Sequence, residues 1–225
     1  MTSPPVPHRR TIAGSAAPLP LANLDTDQIM PKQFLRGIDK SGLAAGLLWD
    51  MRFDAGGRER PDFVLNRPAF RATRVLVAGP NFGCGSSREH AVWGLQQAGI
   101  EAVIAPGFGE IFYSNAMNNG LLAALVSPED GARLLAEARR GEATDQPLEL
   151  TIDVGALEVR SPGGVASFPL SERYRAMFLD GLDVIGASLA RRAEIEAFAE
   201  RHWAAQPWVR DVARRTFDRL HEPRP

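Results

Sequence analysis

Two hydrophobic periods divide this chain. In its middle, short continuous apolar runs, Arg74-Val-Leu-Val-Ala-Gly79, Ala102 to Ala105 and Leu121 to Val126, are each followed by residues of helical spacing. Such runs, bounded by turn residues, fit strands buried on both faces. Glu89 to Ala98 reads as a helix closed by Gly99, and Glu110 to Asn119 as another with Gly120 as its left-handed cap. Ser127 and Pro128 have the N-cap and first-position chemistry of a third helix, which runs to Arg140 and stops at Gly141. Strand, helix and strand in this order predict parallel pairing with a right-handed crossover.

The period then shortens. Leu148 to Asp153 and Ala156 to Arg160 alternate apolar and polar residues about Val154-Gly155, as a hairpin does. Val165 to Leu170 reads as a further strand, Ser171 caps a helix ending at Gly181, and a last helical region spans about Ala187 to Ala205. Upstream, Arg10 to Leu21 reads as one or two short strands broken by Gly14 and Pro18. Asn23 to Gln28 reads as a polar turn, Pro31 to Gly37 as a loop carrying Lys32, Gln33 and Arg36, and Leu43 to Met51 as a short helix. The pattern is α/β, a parallel βαβ core with β-hairpin additions.

The 225 residues suit one domain, and an apolar share of 44% suffices for a sizeable core. A net charge of −1 gives no support for a nucleic-acid partner. The N-terminus lacks the apolar segment of a secretory signal, and no apolar run approaches membrane-spanning length. A cytoplasmic protein with no membrane partner is expected. Cys84 is the single cysteine, so there is no intrachain disulfide, and one thiol cannot hold an iron–sulfur cluster. Residues 206 to 225 form an Arg-rich tail with Trp208 and Phe217 that has no assigned role.

The densest chemistry lies in Asn81-Phe-Gly-Cys-Gly-Ser-Ser-Arg-Glu-His90, between the first parallel strand and its helix. Gly83 and Gly85 permit close backbone approach, Ser86 and Ser87 supply hydroxyls, and Arg88 offers a fork that matches a carboxylate or phosphate. An anionic small molecule suits that set. Ser86 and Glu89 have capping-box spacing, so Ser86 is expected to be the N-cap; the plain alternative is an ordinary capped turn. Arg stands where a dinucleotide fingerprint needs its third Gly, no Gly-Lys-Ser/Thr follows, and the hydrolase elbow lacks its second Gly. His90, a turn beyond Ser86, is either a partner for that serine or a helix-face histidine. Cys84 is either a nucleophile near a helix end or a small residue packed under the loop.

This run resembles the small subunits of 3-isopropylmalate dehydratase, a family related to the swivelling domain of aconitase. The likeness extends to Leu24-Asp-Thr-Asp-Gln-Ile-Met-Pro-Lys-Gln-Phe-Leu35, Pro61-Asp-Phe-Val-Leu-Asn66, Val103-Ile-Ala-Pro106, Glu110-Ile-Phe-Tyr-Ser-Asn115, Asn119-Gly-Leu-Leu122 and Asp180-Gly-Leu-Asp183. It implies a layered β/β/α swivelling domain over residues 1 to 205, followed by the 206 to 225 extension. It also implies a hydro-lyase of leucine biosynthesis, active only as a heterodimer with a large subunit that holds a [4Fe–4S] cluster. A small dicarboxylate is the implied substrate. By position, Ser86 matches the catalytic serine that abstracts the proton, and Ser87 and Arg88 match groups that bind a substrate carboxylate. Arg36 is an expected substrate contact. Asp27 either orients an arginine across the site or caps its turn. Phe34 and Leu35 either line the pocket for an isopropyl group or anchor their loop. Departures at Gly79-Pro80, Val92 and residues 173 to 178 leave the substrate open among isopropylmalate, citraconate, dimethylmalate and homoaconitate. A noncatalytic carboxylate-binding module is the alternative from another class; the intact Gly-Ser-Ser-Arg run argues against it.

Overall fold

The structure is a computed structural model that describes residues 10–35 and 41–221. Its strands are β1 (Thr11–Leu19), β2 (Val75–Ala78), β3 (Ala102–Ala105), β4 (Leu122–Leu125), β5 (Leu148–Asp153), β6 (Glu158–Ser161) and β7 (Gly164–Ser167). The helices are α1 (Thr26–Ile29), α2 (Trp49–Arg52), α3 (Glu89–Gln97), α4 (Glu110–Asn118), α5 (Pro128–Ala143), α6 (Glu172–Asp180), α7 (Val184–Leu189), α8 (Arg192–Ala205) and α9 (Val212–His221). All strands join one seven-stranded sheet in the order β4-β3-β2-β1-β5-β6-β7. The β2–β3, β3–β4 and β1–β2 pairs are parallel, whereas β1–β5, β5–β6 and β6–β7 are antiparallel. The two halves therefore meet at β1. Every residue of β2 and β3 is buried, as the continuous apolar runs predict for strands covered on both faces.

Two differences from the expected elements have physical causes. β1 runs unbroken through Gly14 and Pro18. Gly14 is there for space, because a Cβ on it would lie 2.8 Å from the Arg74 side chain. The Ser15 and Leu19 carbonyls both accept bonds from the β2 side, from the Arg74 and Gly79 amides. Pro18 alternates with them and so faces the other edge, beyond the last β5 pair at Ala16 and Leu148. Its missing N–H breaks no ladder bond. Similarly, α5 continues past Gly141 to Ala143. A Cβ at 141 would sit 2.5 Å from the Gln146 carbonyl, so this glycine admits the returning chain instead of ending the helix.

Smaller elements follow their caps. Ser127 accepts the Asp130 amide at 3.0 Å, and Ser171 accepts the Tyr174 amide at 3.3 Å. The polar turn expected at Asn23 to Gln28 contains the short helix α1, and Leu43 to Met51 forms a 3₁₀ turn and the start of α2. β7 ends at Ser167, short of the expected Leu170. The chain divides into two compact units, Met1–Asp183 and Val184–Pro225. The expected boundary at 205/206 falls within the second unit. That unit is helical, formed by α7, α8 and α9, and its Ile185, Phe198, Trp208, Phe217 and Leu220 are exposed.

Candidate active site

The site region forms where β1 and β2, parallel neighbours with Leu19 opposite Ala78, release their chains at the same end. Ligands of open α/β sheets lie outside the carboxyl ends of the strands. The two loops then run side by side. The Asn23 amide donates to the Pro80 carbonyl at 2.9 Å, the Gly83 amide to Leu24 at 2.7 Å, and the Thr26 amide to Cys84 at 2.9 Å. The Asn81 side chain donates to that of Asn23 at 2.8 Å. Both asparagines have left-handed backbones, φ 58 and 56, a region asparagine tolerates better than most residues. The loop after β3 closes from the far side, with the Phe82 amide bonded to Gly107 and the Gly109 amide to Phe82. Gly83 is irreplaceable on two counts: its φ is +72, and a Cβ would lie 2.3 Å from the Phe112 ring.

Ser86, Ser87 and Arg88 follow Gly85, whose φ is +90. Both serines are exposed and Arg88 is half-buried. The expected capping box at Ser86 and Glu89 is not formed. α3 begins at Glu89, and its N-cap is Arg88, in extended conformation and with no side-chain cap. The cause lies on the adjacent loop. The Arg88 guanidinium is ion-paired with the Asp27 carboxylate, which ties the extended Arg88 to α1. The arginine side chain is 17% exposed and the aspartate 42%. Asp27 is thus paired with an arginine and does not cap its turn. The cap of α1 is instead Asp25, which accepts the Gln28 amide at 2.7 Å while Gln28 accepts the Asp25 amide at 3.0 Å.

The other candidates are placed as follows. Phe34 lies 5.1 Å from the Trp49 ring and sits over Gly46, where a Cβ would meet it at 2.4 Å. Leu35 packs half-buried against the core. Arg36 lies outside the described residues. The Cys84 thiol donates to the Asn23 carbonyl at 3.4 Å, within the paired loops. His90 packs its ring 4.9 Å from Trp93, whose indole donates to the Asn119 side chain at 2.9 Å. Among the described residues no group of three His, Cys, Asp or Glu could hold a metal ion.

Sequence reasoning overlooked Thr26. It is buried, 1% exposed, and its hydroxyl donates to the Ser86 carbonyl at 2.9 Å. The available signal was its place between two acidic residues in a segment already matched to the family.

Residues 7–129 match the Aconitase C-terminal domain. The chain is 62% identical to the 3-isopropylmalate dehydratase small subunit 1 of Chromobacterium violaceum, over 93% of this chain and 97% of that protein. It is 48% identical to the 3-isopropylmalate dehydratase small subunit of Phenylobacterium zucineum, over 86% and 94%. A crystal structure of 3-isopropylmalate dehydratase from Methanocaldococcus jannaschii superposes with a TM-score of 0.57 at 28% identity, covering 84% of this chain and 99% of that one. With the paired loops, the layered sheet and this extent of identity in agreement, the chain belongs to the 3-isopropylmalate dehydratase small-subunit family.

Proposed function

We propose that this chain is the small subunit of a hydro-lyase that interconverts 2-isopropylmalate and 3-isopropylmalate, by loss and return of water, in leucine biosynthesis. The observation that carries the reading is the exposed pair Ser86 and Ser87 beside the Arg88 cation, which Asp27 of the adjacent, backbone-paired loop holds in an ion pair. An enzyme for a branched dicarboxylate needs one group to take a proton from carbon and others to fix a carboxylate. Ser86 is the base. A free hydroxyl is far too weak for this, so Ser86 works as an alkoxide stabilised by backbone donors, in the manner of an oxyanion hole. Ser87 and Arg88 bind the substrate carboxylate, and Arg36 is a further contact. Asp27 keeps the guanidinium turned toward the ligand.

The chain's one thiol leaves the metal to a partner. A large subunit is that partner, and its [4Fe–4S] cluster, when bound, supplies a Lewis-acidic iron for the substrate hydroxyl. The heterodimer works in the cytoplasm. Arg88→Lys should lower kcat/KM by about one to two powers of ten, mostly through KM, because an ammonium cannot reproduce the bidentate fork. Initial rates over a range of substrate concentrations would show the split.

Substrate choice rests on Phe34 and Leu35, which would present an apolar wall to an isopropyl group. The test is competition among isopropylmalate, citraconate and homoaconitate in the enzyme reconstituted anaerobically with its large subunit. Isopropylmalate should win, and Leu35→Arg should shift the preference toward γ-carboxylates by about 1–3 kcal/mol. A wild-type preference for citraconate would move the chain to a paralogous dehydratase. An unchanged ratio in Leu35→Arg would put the selecting wall on the large subunit.

A further inference from the structure

We infer that Thr26 is a positioning residue for the reaction, setting the peptide between Ser86 and Ser87; this rests on the role proposed above for Ser86. Gly85, Ser86 and Ser87 are bracketed by two anchors. Upstream, the Cys84 carbonyl accepts the Thr26 amide at 2.9 Å. Downstream, the Arg88 guanidinium is ion-paired with Asp27. Between those anchors, the Thr26 hydroxyl on the Ser86 carbonyl is the one hydrogen bond among the described residues that ties the segment down.

The bond controls a direction. In a trans peptide the carbonyl and the following N–H point opposite ways. With the Ser86 carbonyl bonded to the Thr26 hydroxyl, the Ser87 amide points the opposite way, away from Thr26. That amide is then a fixed donor for negative charge developing beside Ser86, of the kind an oxyanion hole requires. Fixing the same plane also restricts ψ of Ser86, and thereby where its Cβ, from which the hydroxyl swings, stands relative to its own carbonyl. Gly85 at φ +90 has wide backbone freedom, so nothing local to the loop would enforce this setting.

A purely structural role would look different. The cap of α1 is supplied by Asp25, and the amide of Thr26 keeps its bond to Cys84 whatever the side chain. The hydroxyl takes no part in that cap, so Thr26→Ser, which keeps the donor, separates a positioning role from a packing one.

The test uses the reconstituted two-subunit enzyme. Thr26→Val keeps the shape and removes the donor; Thr26→Ser keeps the donor. Thr26→Val should cut kcat about ten- to a hundredfold with KM little changed, the scale expected when a reacting group is displaced by a fraction of an ångström to one ångström. Thr26→Ser should recover most of the rate. Thr26→Ala serves in place of the valine variant if that one does not fold. In a Ser86→Ala background, Thr26→Val should cost nothing more, because both act on one step. Unchanged kcat in Thr26→Val, with Ser86→Ala impaired, would overturn this inference and leave the role of Ser86 standing. An equal loss in both backgrounds would reduce Thr26 to a structural part. Full activity of Ser86→Ala would overturn the role of Ser86 and this inference with it.

Discussion

Ser86→Ala should lower kcat by about two to four powers of ten, the usual contribution of a general acid or base. KM should barely move, because in the proposed roles the hydroxyl acts in the transition state while Arg88 and Ser87 would still hold the carboxylate. The fold should tolerate the change. Ser86 is exposed, and the bond it receives from Thr26 goes to its backbone carbonyl, which alanine keeps. The start of α3 at Glu89 sharpens this expectation. Had Ser86 been the N-cap of α3, alanine would also have cost about 1 kcal/mol of stability. With Arg88 in that place, the melting temperature should match the wild type. Steady-state kinetics and a thermal melt on one preparation would decide. Near-wild-type kcat would remove Ser86 from proton abstraction.

The chain by itself should show no turnover at all, and anaerobic addition of its large subunit should restore it. A cluster needs several thiolates, and Cys84 is alone and already engaged with the Asn23 carbonyl. Activity assays before and after mixing, with iron analysis of the isolated chain, give two independent readouts. Turnover by the isolated chain, or iron bound to it in stoichiometric amount, would sink the division of labour between subunits.

Most of the parallel half was legible because its signals are local. β3 spans the residues expected of it, and α4 is closed by Asn119 and Gly120 as its composition predicts. The misreadings share one cause, since in each a distant contact outweighs a nearby preference. Gly14 and Pro18 are breakers in isolation but not beside Arg74 and at an unpaired stretch of strand edge. Ser86 and Glu89 have the spacing of a cap, yet Asp27, far away in sequence, holds Arg88 and delays the helix. Thr26 was invisible for the same reason: a hydroxyl in a polar turn carries no mark of the carbonyl it will meet. The Asn81 to His90 run was conspicuous because it gathers glycines, hydroxyls and an arginine in ten residues. Their mutual orientation was not, because it is set by the neighbouring loop.

The position of β1 at the junction of the two half-sheets has a consequence for synthesis on the ribosome. Its partners on one side lie in β2, but on the other side Ile12 pairs with Ile152. The parallel half can be assembled once β4 has emerged. The outer edge of β1 stays open until β5 follows. At a translation rate of about 5–20 residues per second, a nascent chain spends seconds with an unsatisfied row of backbone groups on a strand that is mostly apolar. Chains truncated between α5 and β5 should therefore be the ones most prone to form inclusion bodies or to be held by chaperones, and the β5–β6 hairpin is the segment whose arrival ends that exposure.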